Sequence, residues 1–246
     1  TASPTPPFGG YGPSFTNPRT GQILGADIML EFIFVSNRLL QSELFDVAGQ
    51  SMALSSDQLA TDGCAAQSLM QQQTLLGVAA LQLEGASEID AFVQQAVISL
   101  VLHEVGHTLG LNHNMKASQM LSPAQLQDSS FVASRGVSGS VMDYHAVNLS
   151  QPGARKTVPF DTRPGPYDRW AIEFAYRPAL ADPSAEAARM TALLNRSTEP
   201  DLAFGNDADD MRSPSGGIDP RVMVGDLSSD GLTWAAGRFT IDDSLL

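Results

Sequence analysis

Cysteine is nearly absent from this chain of 246 residues; Cys64 is the single one. One thiol excludes an internal disulfide, and a free cysteine usually behaves as a small buried hydrophobe. Basic side chains are scarce as well. Fourteen Lys and Arg stand against 27 Asp and Glu, for a net charge of −13. A surface of that sign repels phosphates and argues against a nucleic-acid partner. No run approaches the roughly 18 uninterrupted apolar residues of a membrane-spanning helix. The longest apolar stretch, AFVQQAVISLVL, is broken by Gln and Ser. The opening TASPTPPFGG lacks the basic and apolar regions of a signal peptide and reads as a Pro/Gly-rich loop.

Histidine is rare too, with four in all. Three of them fall in one short stretch, HEVGHTLGLNH, from His103 to His113. At about 100° per residue, His103 and His107 share one helix face, roughly 6 Å apart along the axis. Both imidazoles can therefore reach one metal ion. Glu104 points beside that metal, where a water would sit. Gly110 can end the helix with a positive φ at little steric cost, and the chain can then return His113 as a third ligand. Three protein ligands leave a fourth position open, as in a catalytic zinc site. From Ala91 to Leu111 the only formally charged side chain is Glu104, so the helix is expected to be buried around most of its circumference.

Downstream lies SVMDY, Ser140 to Tyr144. The extended zinc motif followed by a Met-containing turn resembles the metzincin metallopeptidases. S-x-M-x-Y is closest to the astacin and serralysin form of the turn. GPYDRWAIEFAY, Gly165 to Tyr176, looks like the helix that follows it. With NPRTGQILGADI added, the chain more narrowly resembles large bacterial zinc-dependent metalloproteases with a metzincin core, over roughly Gly12 to Asp230. The resemblance implies zinc held by His103, His107 and His113, Met142 as an apolar floor beneath it, and Tyr144 near the metal.

It also implies an α+β fold of metzincin type. A twisted sheet would pack on the buried zinc helix, followed by a loop-rich C-terminal subdomain with the Met-turn and a further helix. Three parts are expected: residues 1–113 as the N-terminal catalytic subdomain, 114–200 as the C-terminal one, and 201–246 as an Asp/Gly-rich extension. Metzincin domains usually begin with more strands than can be found here, so the first subdomain is expected to lack upstream strands. A periplasmic or extracellular location is implied by resemblance alone.

Local signals fill in the elements. Residues 14–26 read as turn material around Asn17-Pro18 and Thr20-Gly21. DIMLEFIFV, Asp27 to Val35, is the best strand candidate. Asn37 to Ala48 reads as a short helix, SMAL as a short strand, and Asp62 to Leu83 as a longer helix. Ser87 and Asp90 approach a capping box that opens the zinc helix. Ser122-Pro123 starts a short helix through Gln127. Asp128 to Gly139 reads as loop. Gly165-Pro166 and Asp182-Pro183 open two more helices, the second running to Asn195. Trp170 and Phe174 are expected to share a buried face. Thr233 to Ile241 reads as a short strand or a terminal extension.

Six aspartates near the end, Asp207, Asp209, Asp210, Asp219, Asp226 and Asp230, could offer oxygen ligands to Ca2+, although their spacing does not match an EF-hand. The alternative is a solvated loop with Asp residues capping turns. His145, outside the motif, reads as structural or solvent-facing.

The functional expectation is a zinc endopeptidase acting on a protein or peptide substrate. Glu104 would activate the nucleophilic water, and Tyr144 would hydrogen-bond the oxyanion or simply pack. Two alternatives stay open: a catalytically silent metzincin-like binding module, and a zinc hydrolase acting on a non-protein amide or ester.

Overall fold

The computed structural model describes residues 10–11, 13–30, 73, 76–78, 80–81, 89–151, 156–210 and 219–245. Cys64, the expected helix at 37–48, the SMAL strand, the Ser87 cap and most of the expected helix at 62–83 lie outside the described residues, as does the strand beyond residue 30. The chain divides into two compact units. One comprises residues 1–110 and the other residues 111–244, with the last two residues shared between them. Among the described residues, no helix is long and apolar enough to cross a membrane.

In the first unit, β1 (Gly10–Tyr11) pairs antiparallel with β4 (Met29–Leu30), and β2 (Ser14–Thr16) with β3 (Ile23–Ala26). Residues 14–26 are thus a hairpin and not turn material alone. The turn signals themselves hold. Asn17 Oδ1 accepts from Arg19 N at 2.9 Å, and Gly21 takes a φ of 73°, which its missing side chain permits. Short strands flank that turn because its closing bond, Asn17 N to Gln22 O at 2.8 Å, starts a ladder.

The zinc-motif helix α1 spans Ile89–Thr108, and β1 lies against it. Its buried residues include Phe92, Ala96, Ser99, Leu100, His103 and Glu104, a stripe at helical spacing. The expectation of burial around most of the circumference is corrected: Ala91, Gln94 and Ile98 are exposed. Scarcity of charge had suggested it, but uncharged Gln and Ala are tolerated in water. Gly110, at φ 86°, follows the helix, and its N–H donates to His107 O at 2.9 Å.

The second unit is helical and rich in structured loops. Helix α2 (Pro123–Gln127) opens with a capping box between Ser122 and Gln125. Helix α3 (Ser129–Arg135) occupies what read as loop. Asp128 is its N-cap, with Oδ1 accepting from Ser130 N at 3.0 Å and Phe131 N at 3.1 Å. Helices α4 (Pro166–Tyr176) and α5 (Pro183–Asn195) start where the Gly-Pro and Asp-Pro pairs put them. Trp170 Nε1 donates to Leu193 O at 2.9 Å and ties the two together. The Trp170 and Phe174 rings do stack, 6.4 Å apart, but Phe174 is 46% exposed, so the shared face is not a buried one.

The C-terminal stretch forms helix α6 (Gly231–Leu245), in place of a strand or extension. Asp230 begins it by accepting from the N–H and hydroxyl of Thr233. The core of this unit comprises Leu121, Leu126, Val132, Val137, Ala146 and Leu227, with Phe131, Val158 and Trp234 against it. Full burial of such side chains contributes about 1.5–3 kcal/mol each.

Candidate metal centre

Helix α1 places His103 and His107 one turn apart, and the two side chains converge. Their Nε2 atoms lie 3.1 Å from each other, with the rings edge to face. Two nitrogens across a tetrahedral zinc stand roughly 3.3 Å apart, given Zn–N bonds of about 2.0–2.1 Å. Each of His103, His107 and His113 offers a ligand nitrogen, and these all lie within 4.8 Å of one another. Three neutral imidazoles suit zinc, and the cluster fits a metzincin zinc site. His103 is 1% exposed and Glu104 3% exposed, while His107 and His113 are half-buried, so the cluster is sheltered on the His103 side and partly open to solvent on the other.

His113 carries two further contacts that settle its chemistry. Its Nδ1 sits 2.8 Å from Asp207 Oδ2, and its Nε2 sits 2.9 Å from the Tyr144 hydroxyl. A carboxylate accepts, so Nδ1 carries the proton. Nε2 then keeps its lone pair, which the tyrosine hydroxyl meets here and which a metal ion would take in its place. A carboxylate behind a histidine is the usual means of fixing tautomer and ring orientation in metal sites.

The Met-containing turn is built from buried polar groups. Met142 is 0% exposed; its N–H donates to Ser140 Oγ at 3.0 Å. Asn114 N donates to Met142 O at 3.0 Å, which joins the turn to the residue after His113. The Asn114 side chain donates to Ala203 O and accepts from Gly205 N, so it also fixes the segment leading to Asp207.

Asp168, from α4, supports the turn from its other side. It accepts from Ser140 Oγ at 2.5 Å, Val141 N at 2.9 Å and Gly165 N at 2.7 Å. Burial pushes its pKa up, opposed by those three hydrogen bonds. Gly165 approaches so closely that a Cβ there would meet Gly139 O at 2.1 Å.

The Met-zincin family model matches residues 85–246. The chain belongs to the Met-zincin family. No curated protein and no solved structure matches it. The match begins just ahead of α1 and takes in the whole of the second unit, so every residue described at this Met-zincin centre lies within it.

The motif residues thus fall where their spacing requires, while three contributors escaped the sequence. Asn114 carried no local pattern that set it apart, and Asp207 stood out only as one of six possible oxygen ligands for calcium, not as a partner of His113. Asp168 had a weak signal, an acid in the first turn of a helix opened by Gly-Pro. His145 is 8% exposed and therefore structural, with Nδ1 2.8 Å from Ala146 O and Nε2 3.5 Å from Asp161 Oδ2.

Proposed function

We propose that this Met-zincin chain is a zinc-dependent endopeptidase, with His103, His107 and His113 as metal ligands and Glu104 as general base. The observation that carries the reading is the convergence of three histidine nitrogens within 4.8 Å, with Glu104 directly following the first ligand on the same helix. A bound zinc supplies Lewis acidity, acidifying water and polarising a carbonyl oxygen. Glu104 takes a proton from the water as its oxygen bonds to the peptide carbonyl carbon. It returns that proton to the amine nitrogen as the C–N bond breaks. With His113 Nε2 given to a metal, the Tyr144 hydroxyl that now faces that nitrogen is freed and donates to the developing oxyanion. Met142 supports the site from below as a buried, uncharged side chain.

The test separates ligands, base and oxyanion donor. His107→Ala should lose zinc. Glu104→Ala should keep zinc and lose cleavage of a denatured protein by several orders of magnitude. Tyr144→Phe should lower kcat by about 10²–10³ with KM little changed. Stoichiometric zinc in His107→Ala would refute the ligand set. A zinc-loaded wild type that cleaves no peptide library would move the reading to a binding module or a hydrolase of other amides or esters.

A further inference from the structure

Beside the Met-containing turn lies a second group of buried oxygens that the zinc chemistry does not use. Asp143 follows Met142 and is 5% exposed; Ser118 is 0% exposed. One oxygen of Asp143, Oδ2, accepts from Ser118 N at 2.6 Å. One oxygen of Asp226, Oδ2, accepts from Gln119 Nε2 at 2.9 Å. The remaining atoms, Asp143 Oδ1, Asp226 Oδ1 and Ser118 Oγ, are buried with no hydrogen-bond partner among the described residues. The backbone draws these three residues together. Ser228 N donates to Ser118 O, Ala146 N to Asp226 O, and Gly225 N to Tyr144 O, each at 2.9 Å.

Each unmet oxygen carries a desolvation penalty, and for a carboxylate the penalty is large. The neighbouring charges do not offset it. Asp161 faces His145 and accepts from Val137 N, Ser138 N and Ser138 Oγ, so that pair is satisfied internally. Asp168 is satisfied by its own three donors. Asp143 and Asp226 feel His145 only at a distance, and they repel each other. Burial, then the charge of Asp226, push Asp143 well above the usual carboxylate range, and burial pushes Asp226 to about 6. The Ser118 hydroxyl lies close enough to Asp226 to draw its pKa partly back down, but the pair does not meet hydrogen-bond geometry, so Ser118 Oγ and Asp226 Oδ1 face each other without a formed bond.

We propose that Asp143, Asp226 and Ser118 form a second metal site, separate from the three histidines, which takes a calcium ion. The donors are all oxygens, two of them carboxylates, and nitrogen and sulfur are missing from the set. That is the ligand chemistry of a hard cation, with backbone carbonyls and water completing a coordination sphere of 6–8. Two negative charges with no Lys or Arg ion pair among the described residues match a divalent ion. Calcium tolerates the irregular geometry of three loop residues better than magnesium does. The ion would lock the Met-containing turn to the Ser118 segment and the 225–228 loop, and so fix Tyr144 from behind.

The inference is independent of the peptidase reading and is tested without proteolysis. Zinc-loaded protein in calcium-depleted buffer is dialysed against 45Ca2+, and zinc and calcium are counted in the same samples. The wild type should take up about one calcium per chain without losing zinc. Its Tm should rise by roughly 5 °C at calcium well above Kd. Asp143→Asn and Asp226→Asn should each abolish uptake and the Tm response, whereas Asp209→Asn, elsewhere in the acidic segment, should retain both. Should Asp143→Asn fail to fold, Asp226→Asn and Ser118→Ala decide the matter. A wild type that binds no calcium overturns the proposal. So does uptake that survives in Asp226→Asn. Asparagine variants that are more stable than wild type in calcium-free buffer and a wild type indifferent to calcium would mark a shared proton in place of a metal.

Discussion

A histidine offers one ring nitrogen to a metal only when the other is settled. At His113 the settled atom is Nδ1, held 2.8 Å from Asp207 Oδ2. The Asp207 side chain is 63% exposed, so the pair adds little to overall stability. Its effect is local: it selects the tautomer and stops the ring from rotating. Removing such a partner typically costs 10- to 100-fold in metal affinity. Asp207→Ala should therefore weaken zinc binding by about that factor in a chelator competition, while leaving Tm of the apo-protein almost unchanged. Wild-type affinity in that variant would show that His113 needs no orienting partner. His103, His107 and Glu104 could be read from spacing, because one helix fixes their relation. Asp207 could not, since it lies 94 positions from His113 and two more aspartates follow it closely. The Asn114 side chain, bonded to Ala203 and Gly205, and Met115 N, which donates to Gly205 O, bring its segment to the site.

Helix starts were legible wherever a capping side chain stood directly before Pro, as at Ser122-Pro123 and Asp182-Pro183. They were missed where the same chemistry lacked Pro. Asp128 caps α3 and Asp230 opens α6, but the Ser- and Gly-rich sequences around them looked like loop. The hairpin at 14–26 was missed for a similar reason: its turn chemistry was plain, its strands too short to show alternation. Gly165 illustrates what no local pattern reveals. It begins α4, and its backbone is ordinary at φ −75°, so conformation does not demand glycine. Contact does, because a Cβ would stand 2.1 Å from Gly139 O, a backbone atom that cannot swing aside. Gly165→Ala should push α4 away from the Met-containing turn and stretch the Asp168 bonds to Ser140 and Val141. Because the clashing atoms are backbone, a cost of about 3 kcal/mol, the upper end of what overpacking causes, is expected. Denaturant unfolding of Gly165→Ala beside Ala171→Gly, a change within the same helix, checks this. The second should cost only about 1 kcal/mol, the helix propensity difference. Equal losses in the two would mean that the close approach relaxes freely.

At the scale of the whole chain, a net charge of −13 makes the few retained protons matter. Burial alone would lower the pKa of His145. The hydrogen bond and charge of Asp161 outweigh it and raise the imidazole to about 9 from an ordinary 6.5. The folded protein therefore keeps a proton that the unfolded chain releases near pH 6.5. That stabilisation is complete below about pH 6.5 and is lost as pH rises through about 9. Asp226 acts in the same sense at lower pH. Its carboxyl is raised from 3.8 to about 6, so its contribution fades across that window when no cation is bound. Asp219 acts oppositely. Arg221 first, then Lys116, hold it below 3.8, so its stabilisation is present above that value and lost on acidification. Tm of zinc-saturated, calcium-free protein should thus fall from pH 6.5 to 9, a range in which ordinary carboxylates no longer titrate. His145→Asn keeps a polar ring-sized group beside Asp161 but carries no titratable proton. It should flatten the curve across that range while leaving the fall between about pH 4 and 6 in place. Parallel wild-type and variant curves above pH 6.5 would mean that His145 does not hold its proton, and the alkaline loss would then fall to Asp143, whose carboxyl burial also raises.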